Sequence, residues 1–216
     1  MFGEDSKQED LFEHTTAPLL RKFLNGENCV LFAYGMTNAG KTYTVQGANS
    51  NPGILPRLVT AVLDEMNATN SQGGWDLHVS MLEIYQENIY DLLSKKRKEK
   101  LSIRDANGKV EVNKLSTHSI ACTKDACKLM DTAAYNRSDH PTVPALTIFV
   151  VNATHSLRHC PCSFFSYRSK SSTFLNTGSS RSHAVYTITL DRGIENGVVT
   201  QSVAFQLVDL AGAERG

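Results

Sequence analysis

Residues 35–42 have the composition of a loop that binds phosphate. They read G-M-T-N-A-G-K-T and fit the pattern G-x-x-x-x-G-K-[ST]. Gly35 and Gly40 allow a tight turn that brings backbone N–H groups close to phosphate oxygens. Lys41 supplies a mobile cation for the outer phosphates, and the Thr42 hydroxyl is suited to Mg²⁺. The residues inside the loop, which wrap the same phosphates, are Met36, Thr37, Asn38 and Ala39.

Two later segments carry the other groups that a nucleoside-triphosphate switch needs. Residues 176–183 read N-T-G-S-S-R-S-H, and their serines offer hydroxyls to Mg²⁺ and to the γ-phosphate. Residues 207–215 read L-V-D-L-A-G-A-E-R, and Asp209 follows an apolar run, where it can hold the water molecules of the metal. Gly212 comes three residues later, where its N–H could sense the γ-phosphate. The three segments together predict a nucleotide-dependent switch.

The elements that must position these groups follow from the spacing of apolar residues. Residues 29–34 are apolar and predict a buried strand that leads directly into the loop, and a helix is expected to open at Lys41. Helical spacing predicts further helices over 9–24 and 55–66. Strands are predicted over 75–85, 183–190 and 201–208, a hairpin around 107–108, and a short helix over 125–136. Strands and helices mixed around a phosphate loop predict a three-layer α/β P-loop fold with a mixed central sheet.

The combined motifs resemble those of the kinesin motor domain. That family carries a phosphate loop of this form, a first switch N-x-x-S-S-R-S-H and a second switch D-L-A-G-x-E, in the order found here. The segments F-A-Y-G, G-I-L-P-R and L-E-I-Y-Q-E followed by D-L-L also match. The loop interior 37–39 is similar to that of the cytokinesis-type mitotic kinesins, although three residues do not assign a subfamily.

The resemblance implies an ATP-dependent microtubule motor that binds ATP and Mg²⁺ at the loop. It places Lys41 on the β- and γ-phosphate oxygens. It implies that Thr42 and Ser180 bind Mg²⁺ directly and that Asp209 holds the metal through water.

The resemblance also implies a catalytic set. The Gly212 N–H would bond the γ-phosphate, and an ion pair between Arg181 and Glu214 would latch the two switches and position the attacking water. Ser179 contributes a hydroxyl from the same serine cluster. The plain alternative for Arg181 and Glu214 is an ordinary surface ion pair, which contributes little.

Composition narrows the expected partners and compartment. Lys plus Arg and Asp plus Glu both number 22, so net charge gives no reason to expect nucleic acid or a membrane surface as partner. The five cysteines are irregularly spaced and favour a reducing compartment over a disulfide framework. With an acidic start that is unlike a signal peptide, we expect a protein of the cytoplasm and microtubule cytoskeleton, with the spindle as a candidate location.

The resemblance covers only part of a motor domain. We expect residues 1–216 to hold the phosphate site, while the first strand with its adenine contacts and the elements after the second switch lie outside. On this interpretation the 216 residues alone have weak or no ATPase activity. The alternative function is a stand-alone P-loop nucleotide-binding module without motility.

Residues 138–168 interrupt the spacing of the family. Removing them joins Asn136-Arg137 to Ser169 and restores N-R-x-x-x-x-T before the first switch. The string C-P-C-S-F-F-S-Y-R at 160–168 can be written with pyrimidine-rich codons that end in a splice acceptor. We therefore interpret the excursion as a translated intron, with a genuine insertion as the alternative. A metal site at His155, His159, Cys160 and Cys162 is a weaker interpretation, because Cys-x-Cys lacks a second pair.

A basic run, K-K-R-K-E-K at 95–100, is the main charge cluster. A solvated loop is the simpler interpretation, and a patch that faces the acidic microtubule surface is the alternative. In kinesins the hairpin that follows lies close to tubulin, which makes Arg104 and Lys109 the more interesting basic residues.

Overall fold

The structure is a computed structural model of the 216-residue chain. It describes residues 6–48, 50–69, 74–96, 99–106, 108–138, 181–195 and 198–213. The excursion at 138–168 therefore lies outside the described residues except for Ser138, which ends a helix.

Six helical elements are present in the described ranges. They are α1 (Gln8–Leu11), a π-helical turn (Phe12–Thr16), α2 (Ala17–Leu24), α3 (Lys41–Gln46), α4 (Ile54–Ala68) and α5 (Thr123–Ser138). The first helix of the prediction is thus interrupted by a π-helical turn. The interruption has a local reason, because Pro18 follows it and cannot donate the amide hydrogen bond of a continuous α-helix. None of the helices in the described ranges has the length and apolarity to cross a lipid bilayer.

The described strands form one large mixed sheet and two small hairpins. They are β1 (Cys29–Ala33), β2 (Gly47–Ala48), β3 (Asn51–Pro52), β4 (Trp75–Tyr85), β5 (Asn88–Asp91), β6 (Lys100–Leu101), β7 (Ile103–Ala106), β8 (Lys109–Val112), β9 (His118–Ser119), β10 (Ser182–Glu195) and β11 (Val198–Asp209). The order in the large sheet is β1-β11-β10-β4-β5-β6, and β9 also pairs with β4. The pair β1–β11 is parallel, and its neighbours are antiparallel. The predicted mixed sheet flanked by helices is confirmed.

Burial of β1 differs from the prediction. The strand exists as expected, but Phe32 is 60% exposed and Val30 is 46% exposed. The physical reason is its position: among the described strands, β1 stands at the end of the sheet and pairs only with β11. The expectation of a buried strand was therefore wrong, although Cys29 at its start is buried.

The core lies between the sheet and the helices α2 and α4. Phe23 of α2 and Phe205 of β11 meet edge to face with ring centroids 5.8 Å apart. The apolar face of α4, predicted from its helical spacing, is buried at Leu58 and Val62. This packing supports the neighbouring strands β1 and β11, and their carboxyl ends carry the candidate site.

In the connection after α3, the backbones of Gly47 and Gly53 lie in contact. A Cβ atom on Gly47 would lie 2.1 Å from the backbone nitrogen of Gly53, and Gly47 has a φ of +86°. Any side chain there would clash with backbone and would be strained as well. The close approach lets the Gly53 N–H donate to the Gln46 carbonyl at 3.0 Å, which ends α3.

Candidate functional site

The glycine-rich loop joins the end of β1 to the start of α3. Gly40 precedes the helix with a φ of +87°, in the left-handed region that only glycine adopts without strain. The Ala39 N–H donates to the Met36 carbonyl at 3.2 Å, which makes the loop a closed turn. The strand–loop–helix context expected of a phosphate loop is therefore present.

Lys41 folds its side chain back over this loop. Its ammonium Nζ donates to the Gly35 carbonyl at 2.9 Å and to the Met36 carbonyl at 2.7 Å. The cation thus lies against the backbone of the loop, where its charge is available to a phosphate group.

Thr42 and Asp209 meet although 167 positions separate them in the chain. The Thr42 Oγ1 donates to Asp209 Oδ2 at 2.8 Å. The contact follows from the sheet, because the parallel register pairs Ala33, at the end of β1, with Asp209, at the end of β11. Asp209 is fully buried, and its Oδ1 has no hydrogen-bond partner among the described residues.

Arg137 is a side chain of the candidate site that sequence reasoning missed. In the sequence it only marks the spacing before the excursion, yet in the structure just 6% of its surface is exposed. Its Nη1 donates to Asp209 Oδ2 at 2.7 Å, and its Nε lies 3.9 Å from Glu83 Oε1. Burial alone would lower the pKa of the guanidinium, but the charge and the hydrogen bond of Asp209, together with the charge of Glu83, raise it above its ordinary value. Arg137 therefore stays charged.

Tyr186 links this buried pair to the helix of the phosphate loop. Its hydroxyl accepts from Gln46 Nε2 at 2.5 Å and from Arg137 Nη1 at 3.4 Å. Burial raises the pKa of the Tyr186 hydroxyl, and Asp209 raises it further, so the phenol stays protonated. Since all members come from different elements, no single stretch of sequence signals the cluster; the available signal was the Asn136-Arg137 pair of the family spacing.

Three backbone N–H groups in residues 210–213, the segment after β11, make hydrogen bonds to the elements around it. The Leu210 N–H donates to the Ala33 carbonyl at 3.2 Å, and the Ala213 N–H donates to the Gly35 carbonyl at 3.1 Å. Between them, the Ala211 N–H donates to His183 Nδ1 at 3.1 Å. These bonds bring Gly212 beside the start of the phosphate loop, as the motif requires.

The remaining predicted site residues are placed only in part. Arg181 is exposed and directly precedes β10. Ser179, Ser180 and Glu214 lie outside the described residues. The ion pair between Arg181 and Glu214 and the serine ligands therefore remain predictions.

The residues present fit a magnesium nucleotide. Thr42 and Asp209, both expected near the metal, are already within hydrogen-bond distance of each other. Asp209 adds a buried carboxylate oxygen that lacks a partner in the described part of the chain, and oxygen is the ligand that Mg²⁺ prefers. Lys41 lies in the adjacent loop, where phosphate charge would be bound.

Fold and site together define the class as a P-loop nucleotide-binding domain. The family model "Kinesin motor domain" matches residues 1–143 and 137–216. Because this match extends over the whole chain, the chain belongs to the kinesin motor domain family, whose members are microtubule motor proteins. The family prediction is confirmed, and the subgroup suggested by residues 37–39 remains a prediction.

Individual relatives agree with this assignment. Kinesin-like protein KIF18A of Mus musculus is 33% identical over 219 residues, and the alignment covers 100% of this chain and 21% of the relative. Kinesin-like protein KIF18B of Gallus gallus is 35% identical, with 100% and 23% covered. The structure described as that of a fast kinesin matches with a TM-score of 0.76 and 26% identity, covering 99% of this chain and 53% of the other. The chain therefore spans about a fifth of these curated relatives and about half of the solved chain.

Proposed function

We propose that this chain is the phosphate-binding part of an ATP-dependent microtubule motor. In the full-length protein, hydrolysis of Mg-ATP would be coupled to movement along microtubules. The observation that carries the proposal is the contact of Thr42 with Asp209 at 2.8 Å, beside a loop that already encloses the Lys41 ammonium. Family membership supports the same activity.

In the proposed nucleotide site, different residues bind the phosphates and the metal. Bound Mg-ATP supplies the phosphoryl group and the metal charge that offsets its oxygens. Lys41 binds the β- and γ-phosphate oxygens, and residues 35–42 wrap the phosphates with backbone N–H groups. Thr42 and Ser180 bind Mg²⁺, and Asp209 orients the water molecules around it. Arg137 keeps the Asp209 carboxylate in place and offsets its buried charge.

The proposed catalytic groups act on the γ-phosphate and on the attacking water. The Gly212 N–H bonds the γ-phosphate. Arg181 and Glu214 pair across the two switches and position the water, and Ser179 adds a hydroxyl on the same side. Phosphoryl transfer depends mainly on such positioning and charge stabilisation, so these groups need no covalent step.

The proposed partner is the microtubule, and the proposed location is the cytoplasm with its microtubule cytoskeleton. The hairpin β7–β8 is exposed, but Arg104 donates to Glu111 at 2.9 and 3.2 Å. The side chains of this pair are 60% and 46% exposed, so the pair contributes little and leaves Arg104 available to an acidic surface.

The direct test of the nucleotide site is Lys41→Ala. The change removes the compact cation of the loop, so we expect ATP affinity of the full-length protein to fall by about a hundredfold. Lys22→Ala, on the exposed face of α2, is the matched control and should leave affinity unchanged. Near-normal ATP binding by the Lys41 variant would refute the role of Lys41.

Microtubule dependence separates the motor from a stand-alone nucleotide-binding module. A motor predicts that added microtubules raise the ATPase rate of the full-length protein. Nucleotide binding without such stimulation or co-sedimentation would favour the module instead.

We further propose that residues 138–168 are not part of the motor frame. The family match divides into two segments that overlap at 137–143. Among the described residues, Arg137 Nη2 donates to the Ser182 carbonyl at 3.4 Å, so the residue before the excursion lies in contact with the start of β10. Residues 169–181 can then join them, and a shorter loop carries a smaller closure cost.

Two experiments test this proposal. Genomic DNA and cDNA should differ across the stretch, and an abundant transcript that retains these codons would overturn the translated-intron interpretation. Deleting residues 138–168 should leave the unfolding free energy equal or higher, whereas a clear loss of stability would indicate a genuine structural insertion.

A further inference from the structure

The imidazole of His183 accepts a hydrogen bond from the second switch segment, just beyond the point where β10 and β11 stop pairing. Antiparallel pairing of β10 with β11 ends at Ala184 and Asp209. Beyond this point the backbone of 210–213 leaves β10 and follows the phosphate loop. The His183 side chain spans the separation, and its Nδ1 accepts the Ala211 N–H at 3.1 Å.

This hydrogen bond determines which nitrogen of the neutral His183 ring carries the proton. A backbone amide can only donate, so Nδ1 must carry a lone pair and the proton of the neutral ring must lie on Nε2. Alanine and leucine have no side-chain acceptor and could not make this bond.

The position of the bond connects it to nucleotide recognition. Ala211 directly precedes Gly212, while Leu210 and Ala213 are held from the side of β1 and the loop. Of the described hydrogen bonds made by the amides of 210–213, the Ala211 bond is the one that reaches β10. It thus connects the last residue of the first switch motif, at the start of β10, with the residue that precedes Gly212.

We propose that His183 is a positioning residue that holds the Ala211 peptide, and with it the Gly212 N–H, in the orientation that recognises a γ-phosphate. The inference rests on the proposed role of Gly212. His183 touches no phosphate itself; it acts through the backbone, and it makes the response of the second switch depend on the start of β10.

Substitutions at His183 distinguish this role from simple packing. In the full-length protein, His183→Ala should lower the ATPase kcat and the preference for ATP over ADP by about tenfold each, while ADP affinity stays unchanged. His183→Asn should restore both, because its Oδ1 can replace Nδ1 as acceptor. His183→Leu also lacks an acceptor, so it should lower kcat and ATP preference as the alanine variant does. Because leucine fills more of the volume of the imidazole, this variant provides the test if the alanine variant does not fold. His14→Ala, at an exposed histidine on the π-helical turn, is the control.

The outcomes separate the inference from the function on which it rests. Wild-type kcat and ATP preference in the folded alanine or leucine variant would overturn the role of His183 and leave the proposed motor intact. A folded His183→Asn protein as impaired as His183→Ala would overturn the acceptor assignment. Equal affinity of the wild-type protein for ATP and ADP would instead overturn the proposed role of Gly212, and the inference with it.

Discussion

The strand β10 has charged side chains around both of its ends, but their surroundings differ. At the Ser182 end, Arg137 and Asp209 form an ion pair of 2.7 Å whose side chains are 6% and 1% exposed. At the opposite end, His78 and Asp191 lie 3.3 Å apart with side chains 27% and 18% exposed. Arg192, the next residue along β10, has its guanidinium 4.4 Å from the ring centre of Trp75.

The difference in burial indicates the role of the charged groups at each end of β10. Placing charges in a protein interior costs several kcal/mol per ion, and apolar groups of similar size would often stabilise a fold as well. The buried cluster at the Ser182 end is therefore better explained by a ligand that needs Asp209 than by stability. The partly solvated groups at the other end carry no such cost and serve to join β4, β10 and α2.

The largest effect that tests this contrast is expected from Arg137→Met. Removing the buried cation leaves the carboxylates of Asp209 and Glu83 without compensation, so the free energy of unfolding should fall by about 3–5 kcal/mol. Urea unfolding at neutral pH measures the change. A loss below about 1 kcal/mol would show that the two ends of β10 are energetically alike.

A smaller effect is expected from the matched change Arg192→Met at the opposite end. The guanidinium loses the Trp75 ring and the Leu24 carbonyl to which it donates. Because the site is partly open to water, the expected loss is about 1–2 kcal/mol. The same urea titration measures it, and a loss as large as that of the Arg137 variant would remove the contrast.

A still smaller effect is expected from Asp191→Asn. The contact between Asp191 and His78 is partly solvated, so its removal should change the unfolding free energy by less than about 1 kcal/mol. Urea unfolding measures the change, and a larger loss would indicate a contact that is shielded from water.

The smallest expected effect concerns the reactivity of the thiol at the start of β1. Cys29 is buried, and its Sγ donates to the Leu19 carbonyl at 3.4 Å. Burial raises the pKa of this thiol, and the nearby Glu27 raises it further, so less reactive thiolate is present at neutral pH. Alkylation followed by mass spectrometry should therefore label the partly exposed Cys122 and Cys127 before it labels Cys29. Equal labelling of Cys29 would show that this end of the sheet opens readily.

Most elements of the fold could be predicted because short-range spacing specifies them. The alternation over 75–85 predicted β4 with the bounds that the structure has, Trp75–Tyr85. The helix α5 was predicted as 125–136 and extends to Thr123–Ser138. Burial was harder to predict: the exposure of Phe32 depends on whether a strand lies beside β1, and apolar composition carries no information about neighbours.

By itself, the sequence predicted the groups that could do chemistry, because each lies within a few residues of its motif. The loop with Lys41 and Thr42, the carboxylate of Asp209 and the glycine at 212 were all predicted in this way, and their chemical roles stay predictions. Only the tertiary structure decided which distant groups meet. Arg137 reaches Asp209 from 72 positions away, and His183 reaches Ala211 from 28. Such contacts depend on how α5 packs against the sheet and on where the pairing of β10 with β11 ends, and local spacing specifies neither.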